Sequence, residues 1–449
     1  MLVRTIRDIK NGAKMGFSMD MGNKDGELRV FMVAGEVSGD SIASRLMASL
    51  KKLSLFPFVF LAPRMSKEGL ESLFPMEDIS VMGMWELLPH LNKFRVRLKE
   101  TIEGAILFRP HVVVTVDSKG FSFRLLKQLR ARYGWQESNG PLHFHYVAPS
   151  FWAWKGGEAR LKGLANFVDH ILCILPNEEA VCKLNGLDAT FVGHPVLEDI
   201  VEFNLGKQAS PHDLKIEGNS EDFQGNMHYL QVTHCAAVIS LLPGSRLQEV
   251  IRMLSIFSHA FDQLKDSIPE LITVIHVASN QHVENYIDGV IHKWPVPAIL
   301  IPGGHQHLKY DAFSASMVAL CTSGTVAMEL QLARLPCVVA YRAHILTEWY
   351  IQYKAKIPYI SLPNILTDSA IIPEALFQAC TPTNLASLLM KLMHNKRLQE
   401  EQIVAAENVI KLLFPSERII NLEEQMEWKF PNFTPSMIAS STILSHVKS

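Results

Sequence analysis

Two residues of opposite charge, each beside an apolar run, could together catalyse transfer of a group that leaves as an anion. Asp117 ends the run 111–117 (HVVVTVD), where a carboxylate partly removed from water is a reasonable general base for a hydroxyl. Arg246 closes the turn 243–246 (PGSR) before a helical pattern, and a guanidinium at a helix N-terminus suits a diphosphate. Helix capping by Asp117 and a surface position for Arg246 are the alternatives.

A second turn with ligand-binding residue types is the segment 323–329 (SGTVAME), between a predicted strand and a predicted helix. Its small residues Ser323, Gly324 and Thr325 could seat a ribose or a phosphate, and Glu329 could accept hydrogen bonds from two vicinal hydroxyls. A capped helix with an acidic residue in its first turn is the alternative.

The first predicted strand ends in a turn that contains two glycines, residues 34–40 (AGEVSGD). Gly35 and Gly39 let the backbone approach a ligand closely, and the helix that follows from about Ser41 offers unpaired N–H groups to an oxyanion or a hydroxyl. The spacing is not the dinucleotide-binding fingerprint. A purely structural turn is the alternative.

Two tryptophans beside a Pro-Ser turn form a third candidate site, in residues 146–155 (YVAPSFWAWK). Trp152 and Trp154 could make a rigid aromatic wall that packs on a sugar ring or an acyl chain. His194, after a short predicted strand, could donate to a phosphate or a hydroxyl. Core packing is the alternative for the tryptophans and for His194.

The sequence contains no Asp-x-Asp pair, which is a common handle for the metal bound to a nucleotide diphosphate. If the substrate is a sugar nucleotide, arginine and helix dipoles must stabilise the leaving diphosphate. We therefore expect neither a metal site nor a cofactor.

The residues that carry these candidate sites lie between apolar runs and amphipathic stretches, which alternate along the chain. Continuously apolar runs predict strands buried on both faces of a parallel sheet, with helices on each side. One series comprises residues 28–34, 111–117, 142–147 and 168–175, and a second comprises 236–242, 272–277, 297–301, 316–321 and 337–341. The polar segment 204–235 between the series lacks a clear period and predicts a linker.

The fold class predicted from this alternation is α/β, with two Rossmann-like doubly wound domains and a ligand cleft between their strand carboxyl ends. The division is an N-terminal extension, a first domain, a linker, a second domain and a C-terminal segment that packs back on the first domain: 1–27, 28–203, 204–235, 236–415 and 416–449.

Composition narrows the class of protein further. The chain has 449 residues, with 43 Lys and Arg against 45 Asp and Glu, so no global field recruits nucleic acid. Six scattered cysteines without a CxxC pair indicate buried thiols in a reducing compartment. The apolar runs are too short to span a membrane. The basic segment 1–14 suits an organellar presequence, with a frayed tail as the alternative.

Taken together, these segments resemble lipid-A-disaccharide synthase, a family of inverting glycosyltransferases with the GT-B architecture. The resemblance spans roughly residues 28–425 and depends on seven motifs in order. They are VAGEVSGD (33–40), SVMGMWELL (80–88), YVAPSFWAW (146–154), FVGHP (191–195), LLPGSR (241–246), SGTVAMEL (323–330) and SLPNIL (361–366).

The resemblance implies that 2,3-diacylglucosamine passes from UDP to the 6-hydroxyl of 2,3-diacylglucosamine 1-phosphate, giving a β-1,6-linked disaccharide phosphate and UDP. It makes Asp117 the base and Arg246 the stabiliser of the diphosphate. The expected UDP-sugar contacts are Gly244, Ser245, Arg246, Ser323, Gly324, Thr325, Glu329 and Asn364. The expected acceptor or sugar contacts are Gly35, Glu36, Ser38, Gly39, Asp40, Ser150, Trp152, Trp154 and His194.

The family also binds membrane surfaces through an apolar patch on its N-terminal domain. Residues 81–98 combine apolar side chains with cations, as an interfacial segment does. A buried amphipathic helix with a basic edge is the alternative. We therefore expect a peripheral protein, mitochondrial or on the cytoplasmic face of a membrane, that docks through Met82, Met84, Trp85, Leu87 and Leu88.

The chain departs from the family beside the expected base. The family usually continues Ala-Pro-Asp-Phe after the aspartate, whereas this chain has Ser118, Lys119, Gly120 and Phe121. A cation close to Asp117 weakens it as a base. Two other hypotheses stay open: another enzyme of this architecture that uses UDP-N-acetylglucosamine, such as a transferase or a 2-epimerase, and a sugar-nucleotide or lipid-binding protein with reduced catalysis.

Overall fold

The chain folds into two α/β units. The computed structural model describes residues 28–35, 37–53, 58–61, 91–134, 140–203, 237–268, 270–415 and 434–448. One unit comprises Met1–Pro195 with Leu413–Ser449, and the other comprises Val196–Leu412. None of the helices in these described ranges is long and apolar enough to cross a membrane.

The first unit contains a parallel sheet of six strands in the order β2-β1-β3-β4-β5-β6. Its strands are β1 (Leu28–Ala34), β2 (Phe58–Leu61), β3 (Val112–Val116), β4 (Leu142–Tyr146), β5 (His170–Cys173) and β6 (Ala189–Phe191). Its helices are α1 (Val37–Leu53), α2 (Leu91–Phe108), α3 (Lys119–Tyr133), α4 (Gly157–Leu164) and α5 (Pro176–Leu184).

Every residue of β3 is buried, which explains why four of its five residues are valine and no polar residue alternates with them. On one face of the sheet, helices α2 and α3 pack together through an edge-to-face contact of the Phe94 and Phe121 rings, whose centroids are 5.4 Å apart. The buried strand residues and the apolar faces of these two helices thus form one core.

The chain returns to the first unit at its C-terminal end. Helix α15 (Pro435–Lys448) packs on α1, where the hydroxyls of Ser49 and Ser436 are 2.7 Å apart. The Ser440 hydroxyl donates to the Ser436 carbonyl of its own helix at 2.7 Å and lies 3.4 Å from the Leu46 carbonyl oxygen of α1. Small side chains at this contact allow the two helices to approach closely.

The second unit contains another parallel sheet of six strands, in the order β12-β11-β10-β7-β8-β9. Its strands are β7 (Ala237–Leu242), β8 (Leu271–His276), β9 (Ala298–Ile301), β10 (Val318–Thr322), β11 (Cys337–Tyr341) and β12 (Glu374–Leu376). Its helices are α6 (Glu198–Glu202), α7 (Leu247–Leu264), α8 (Gln281–Ile291), α9 (Gln306–Ala315), α10 (Val326–Leu332), α11 (Ile345–Lys354), α12 (Leu362–Thr367), α13 (Pro382–His394) and α14 (Lys396–Leu413).

Residues 196–203, which the sequence prediction included in the first domain, pack within the second unit. The Tyr310 hydroxyl donates to the Asp199 carboxylate at 2.6 Å, and the ring of Phe203 lies 5.2 Å from that of Tyr310. Both contacts attach this segment to α9.

One strand and one helix begin at residues other than those the sequence predicted. Strand β5 begins at His170 rather than at residue 168, because the carboxylate of Asp169 accepts from the His143 backbone N–H at 2.7 Å and pairs with Arg130. Helix α1 begins at Val37 rather than near Ser41. The glycine turn is therefore shorter than predicted, and Gly39 lies inside the first helical turn.

Candidate functional site

The first candidate region lies where the order of the first sheet reverses. Strands β1 and β3 are neighbours at the reversal. Strand β2 lies on the outer side of β1, and strands β4, β5 and β6 follow in order on the outer side of β3. In open α/β sheets, ligands bind outside the strand carboxyl ends at such a reversal. The turn after β1 and Asp117 after β3 both lie at this position.

The backbone at this edge adopts rare conformations. Asp117 and Ser118 have φ values of 50° and 47°, and Val147, directly after β4, has φ 76°. The preceding residues Val116 and Tyr146 pair in neighbouring strands, so the three left-handed residues follow adjacent strand ends. For a β-branched residue this conformation is a true outlier, and each such residue costs roughly 1–3 kcal/mol. Strain of this kind clusters at functional sites.

Backbone hydrogen bonds hold Asp117 in this conformation. Its N–H donates to the Tyr146 carbonyl at 3.0 Å, and its own carbonyl accepts from the Ser122 hydroxyl at 2.7 Å. Ser118, not Asp117, occupies the N-cap position of α3, without a side-chain cap hydrogen bond. The geometry therefore gives Asp117 no N-cap position, which was the alternative to a catalytic role.

Gly39 packs directly on the Asp117 turn. A Cβ atom built on Gly39 would lie 3.3 Å from the Val116 carbonyl oxygen and 3.7 Å from Asp117 Cβ. The first turn of α1 thus contacts the end of β3, and the side chains of Ser38 and Asp40 are partly exposed beside it. Glu36 lies outside the described residues.

The tryptophan segment forms a closed turn next to this edge. Residues Ser150–Ala153 form a 3₁₀ turn, and a Cβ atom on Gly157 would stand 1.7 Å from the Phe151 carbonyl oxygen. Only glycine fits at position 157 without movement of the backbone. Trp152 and Trp154 are both partly buried, so each presents part of its ring surface to solvent.

A buried carboxyl group that the sequence analysis missed holds Trp152. Glu178 accepts from Trp152 Nε1 at 3.4 Å and from the Leu175 N–H at 3.1 Å. Burial raises the pKa of Glu178 to about 7, although these hydrogen bonds and the charge of Lys119 oppose the shift. The signal in the sequence was a Glu at the third position of a helix that begins with Pro176.

The positive charge of Lys119 affects the pKa values of two buried groups in the same region. Burial, and to a smaller extent the charge of Lys119, lower the pKa of His145 to about 3. The same lysine favours the ionised form of Glu178. The cation that replaces the family's usual residue therefore acts on buried groups around the turn.

His194 lies in the interior of the first unit. It is 1% exposed, its backbone N–H donates to the Leu413 carbonyl at 3.4 Å, and a Cβ on Gly193 would lie 3.0 Å from Pro415 Cδ. The segment around His194 thus packs against the chain as it re-enters the first unit. This burial fits the packing alternative that the sequence left open, and the ligand contact of His194 stays a prediction.

The second candidate region lies at the reversal in the second sheet. Strands β7 and β10 are neighbours there, and they lead into the turns 243–246 and 323–325. The two turns therefore share the carboxyl edge that open α/β sheets use for ligands.

Glu249 connects these two turns and was also missed from the sequence. Its carboxylate accepts from the Ser245 backbone N–H and from the Thr322 hydroxyl. A Cβ atom on Gly244, which has φ 116°, would lie 2.6 Å from Glu249 Oε2. Burial raises the pKa of Glu249, while the charge of Arg246 lowers it. Arg246 itself is the N-cap residue of α7, where the helix dipole favours an anion.

The turn 323–325 is open to solvent. Gly324 and Thr325 are exposed, Gly324 has φ 148°, and the Ser323 hydroxyl donates to the Ile360 carbonyl at 3.2 Å. Glu329, in the first turn of α10, pairs with Lys309 at 2.8 Å. In the predicted contact, the Glu329 carboxylate must therefore accept hydrogen bonds from the two hydroxyls while it is also paired with Lys309.

Asn364, which the resemblance makes a UDP-sugar contact, belongs to a cluster of buried hydrogen bonds. It is fully buried, and its amide nitrogen donates to the Ile372 carbonyl and to Glu374 Oε1, each at 2.8 Å. Its oxygen accepts from the Ile372 N–H at 2.9 Å. The carboxylate of Glu374 also accepts from Ile360 N and from Ser361 N and Oγ. This cluster fixes the segment whose Ile360 carbonyl accepts from the Ser323 hydroxyl, and the contact of Asn364 with the UDP-sugar stays a prediction.

Several expectations concern residues or groups outside these two edges. Met82, Met84, Trp85, Leu87 and Leu88 lie outside the described residues. Within the described ranges, no cluster of three His, Cys, Asp or Glu side chains could hold a metal ion. The five cysteines that the structure describes are free and buried.

Comparisons with solved structures show the same fold. The S. aureus MnaA–UDP co-structure matches with a TM-score of 0.57 at 13% identity, covering 90% of this chain and 98% of that chain. UDP-GlcNAc 2-epimerase from Neisseria meningitidis, bound to UDP-GlcNAc, matches with a TM-score of 0.55 at 11% identity, covering 89% and 100%. The predicted GT-B fold class is confirmed.

Sequence comparison identifies the family. A probable mitochondrial lipid-A-disaccharide synthase from Arabidopsis thaliana is 62% identical over 96% of this chain and 93% of its own length. A lipid-A-disaccharide synthase from Rhodospirillum centenum is 39% identical over 86% of this chain and 90% of its own. The family model for lipid-A-disaccharide synthetase matches residues 30–428. The predicted resemblance is confirmed, and the chain belongs to the lipid-A-disaccharide synthetase family.

Proposed function

We propose that this protein is a glycosyltransferase that joins two acylated glucosamine units. UDP-2,3-diacylglucosamine is the donor, 2,3-diacylglucosamine 1-phosphate is the acceptor, and a β-1,6-linked disaccharide 1-phosphate and UDP are the products. The family match over residues 30–428 is the observation that carries this proposal.

In the proposed mechanism, Asp117 accepts the proton of the acceptor 6-hydroxyl as that oxygen attacks the anomeric carbon of the donor. Its support is the strained turn at the strand reversal of the first sheet, because a carboxylate held rigidly there loses little entropy on reaction. Gly35, Ser38, Gly39, Asp40, Ser150, Trp152 and Trp154, together with Glu36, are proposed to contact the acceptor or the sugar.

Arg246 is proposed to stabilise the negative charge that develops on the departing diphosphate. Its position at the N-terminus of α7 adds the helix dipole to the guanidinium charge. Gly244, Ser245, Ser323, Gly324, Thr325 and Glu329 surround the same strand reversal and are proposed to hold the UDP part. The charge needs no metal in this scheme.

Association with a mitochondrial membrane surface is proposed from two observations. The relative from Arabidopsis thaliana bears the name of a mitochondrial protein, and residues 1–14 contain four basic residues and one acidic residue. Docking through Met82, Met84, Trp85, Leu87 and Leu88 would bring the enzyme to the acyl chains of its substrates.

A sugar-nucleotide-binding protein with reduced catalysis is the second candidate, and Lys119 is the observation that favours it. Its charge reaches Glu178 and His145 around the Asp117 turn.

The experiment that separates the two candidates is incubation of purified protein with the donor and the acceptor in the presence of EDTA. Mass spectrometry detects the disaccharide 1-phosphate, and calorimetry with the UDP-sugar measures binding. Disaccharide formation supports the transferase. Binding without turnover supports the second candidate, and neither binding nor turnover would contradict both.

A further inference from the structure

Helix α11 in the second unit exposes large apolar side chains along one face. Of the twelve large hydrophobic residues that are exposed in the described ranges, five lie in this helix of ten residues. Their spacings of one, three and four residues place them on adjacent rows of one helix face. The five residues are Ile345 (67% exposed), Leu346 (54%), Trp349 (66%), Tyr350 (40%) and Tyr353 (59%).

The opposite side of α11 attaches the helix firmly to the second unit. Glu348 is buried, accepts from the Ala343 N–H at 3.0 Å and pairs with Arg342 Nε at 3.3 Å. On the exposed side, the rings of Trp349 and Tyr353 stack with centroids 5.8 Å apart. The apolar face is thus a preformed surface rather than a set of separately moving side chains.

The charges around this face are positive. Within residues 342–356, Glu348 is the only acidic residue, and it is buried and paired. Lys354 lies over the Tyr353 ring at 5.6 Å, and Lys356 is exposed. Aromatic rings flanked by lysines are typical of segments that lie at a membrane–water interface.

A cationic depression adjoins the N-terminal end of α11. It has a volume of about 690 Å³, and the described residues that line it include Arg252, Arg342, His344 and Ile345 but no acidic residue. Arg252 Nη1 donates to the Arg342 carbonyl at 3.2 Å, and Arg342 uses Nε for Glu348 and Nη1 for the Phe377 carbonyl at 2.8 Å. Since a guanidinium has five N–H donors, both arginines retain donors for a phosphate.

We propose that the exposed face of α11, together with the arginine-lined depression beside it, is a contact surface for bilayers that contain anionic phospholipid. Phosphate headgroups enter the depression, and the rings of Trp349 and Tyr353 lie at the level of the headgroups. This surface belongs to the second unit, whereas the segment 81–98 is part of the first.

The position of α11 gives this contact a consequence for catalysis. Only this consequence, and not the membrane contact itself, depends on the proposed function. The helix follows β11, the neighbour of β10, at the same sheet edge as the turn 323–325. A bilayer held against α11 therefore lies beside the edge proposed to bind the UDP-sugar, so that diacylated donor can be taken from the membrane.

The first test is flotation of the full chain with vesicles of phosphatidylcholine alone or mixed with phosphatidylglycerol, in the absence of substrate. The double variant Trp349→Ser, Tyr353→Ser should bind the mixed vesicles roughly tenfold more weakly. Arg252→Gln should reduce the preference for phosphatidylglycerol. Leu184→Ser, which removes an isolated side chain that is 85% exposed, is the control and should bind like the parent. Equal binding by the double variant and the parent would overturn the proposal.

A second test locates the contact even where the first-unit segment alone retains the protein on vesicles. Trp349→Phe keeps an aromatic ring but removes one fluorophore. This variant should bind vesicles as the parent does, and brominated lipid should quench less of its tryptophan fluorescence. Unchanged quenching would overturn the proposal. A lower oligomeric mass of the double variant, with unchanged flotation, would instead assign the face to a second copy of the chain. Absence of transferase activity affects neither measurement.

Discussion

Gly39 and Asp117 are 78 residues apart in the sequence but lie in contact at the strand reversal of the first sheet. A Cβ atom at Gly39 would approach Asp117 Cβ to 3.7 Å and the Val116 carbonyl oxygen to 3.3 Å. The latter distance is tight enough that the neighbouring backbone must move slightly. A glycine at position 39 thus allows α1 to contact the turn that holds the proposed base.

Gly39→Ala should therefore lower turnover several-fold with little change in the free energy of unfolding, because alanine is otherwise favourable in a helix. Steady-state kinetics and urea unfolding measure the two effects. Gly163→Ala is a matched control, since a Cβ on that helical glycine meets nothing within 4 Å. Equal turnover by Gly39→Ala and the parent would show that the contact does not position Asp117.

Asp117→Asn should lose at least about a hundredfold in turnover, since general base catalysis contributes on this scale. Binding of the UDP-sugar, measured by calorimetry, should remain, because the side chain is proposed to act on the acceptor. Asp188→Asn, at an exposed position, controls for the loss of one negative charge. Near-normal turnover in Asp117→Asn would remove this residue from the role of base.

Arg246→Ala should raise the activation free energy by at least about 2 kcal/mol, the magnitude expected when a charge-assisted contact is lost. The measurement is kcat/KM with both substrates varied. Arg132→Ala, an exposed change in the first unit, is the control. An unchanged kcat/KM would contradict the assignment of Arg246 to the diphosphate.

Gly244→Ala should destabilise the turn 243–246 and weaken binding of UDP, because its Cβ would overlap the Glu249 carboxylate at 2.6 Å. The φ value of 116° adds backbone strain for any side chain. Gly289→Ala is the control, since nothing lies within 4 Å of a Cβ in that position. Calorimetric titration with UDP distinguishes the two variants, and equal affinities would argue against a tight fit here.

Glu178 should make the stability of the first unit depend on pH. Because burial raises its pKa from 4.5 to about 7, the folded state holds this proton more tightly than the unfolded chain. The stabilisation is complete below about pH 4.5 and is lost as the pH rises to about 7. The total change is about 3 kcal/mol.

The test of this pH dependence compares the parent with Glu178→Gln, which does not titrate. Urea unfolding between pH 5 and 8 should show that the difference in unfolding free energy between the two proteins changes with pH. The buried histidines His143 and His276, whose pKa values burial lowers to about 4 and about 3, are common to both and cancel in this difference. A constant difference would contradict the titration of Glu178 in this range.

The sequence by itself determined the alternation of strands and helices, because strands buried on both faces require continuously apolar runs. The runs 28–34 and 337–341 coincide with β1 and β11. It also determined the family and the turns that follow β1, β3, β7 and β10, since Gly, Ser and Asp at strand ends are local signals.

Only the tertiary structure decided which of these turns meet. The order of the strands places the turns after β1 and β3 together, and those after β7 and β10 together, and no local pattern encodes that order. Glu178, Glu249 and Glu374 escaped notice because each accepts hydrogen bonds from residues that adjoin it only after folding. For the same reason, the aromatic residues of α11 cannot be distinguished from core residues until the fold shows which face of the helix the protein interior covers.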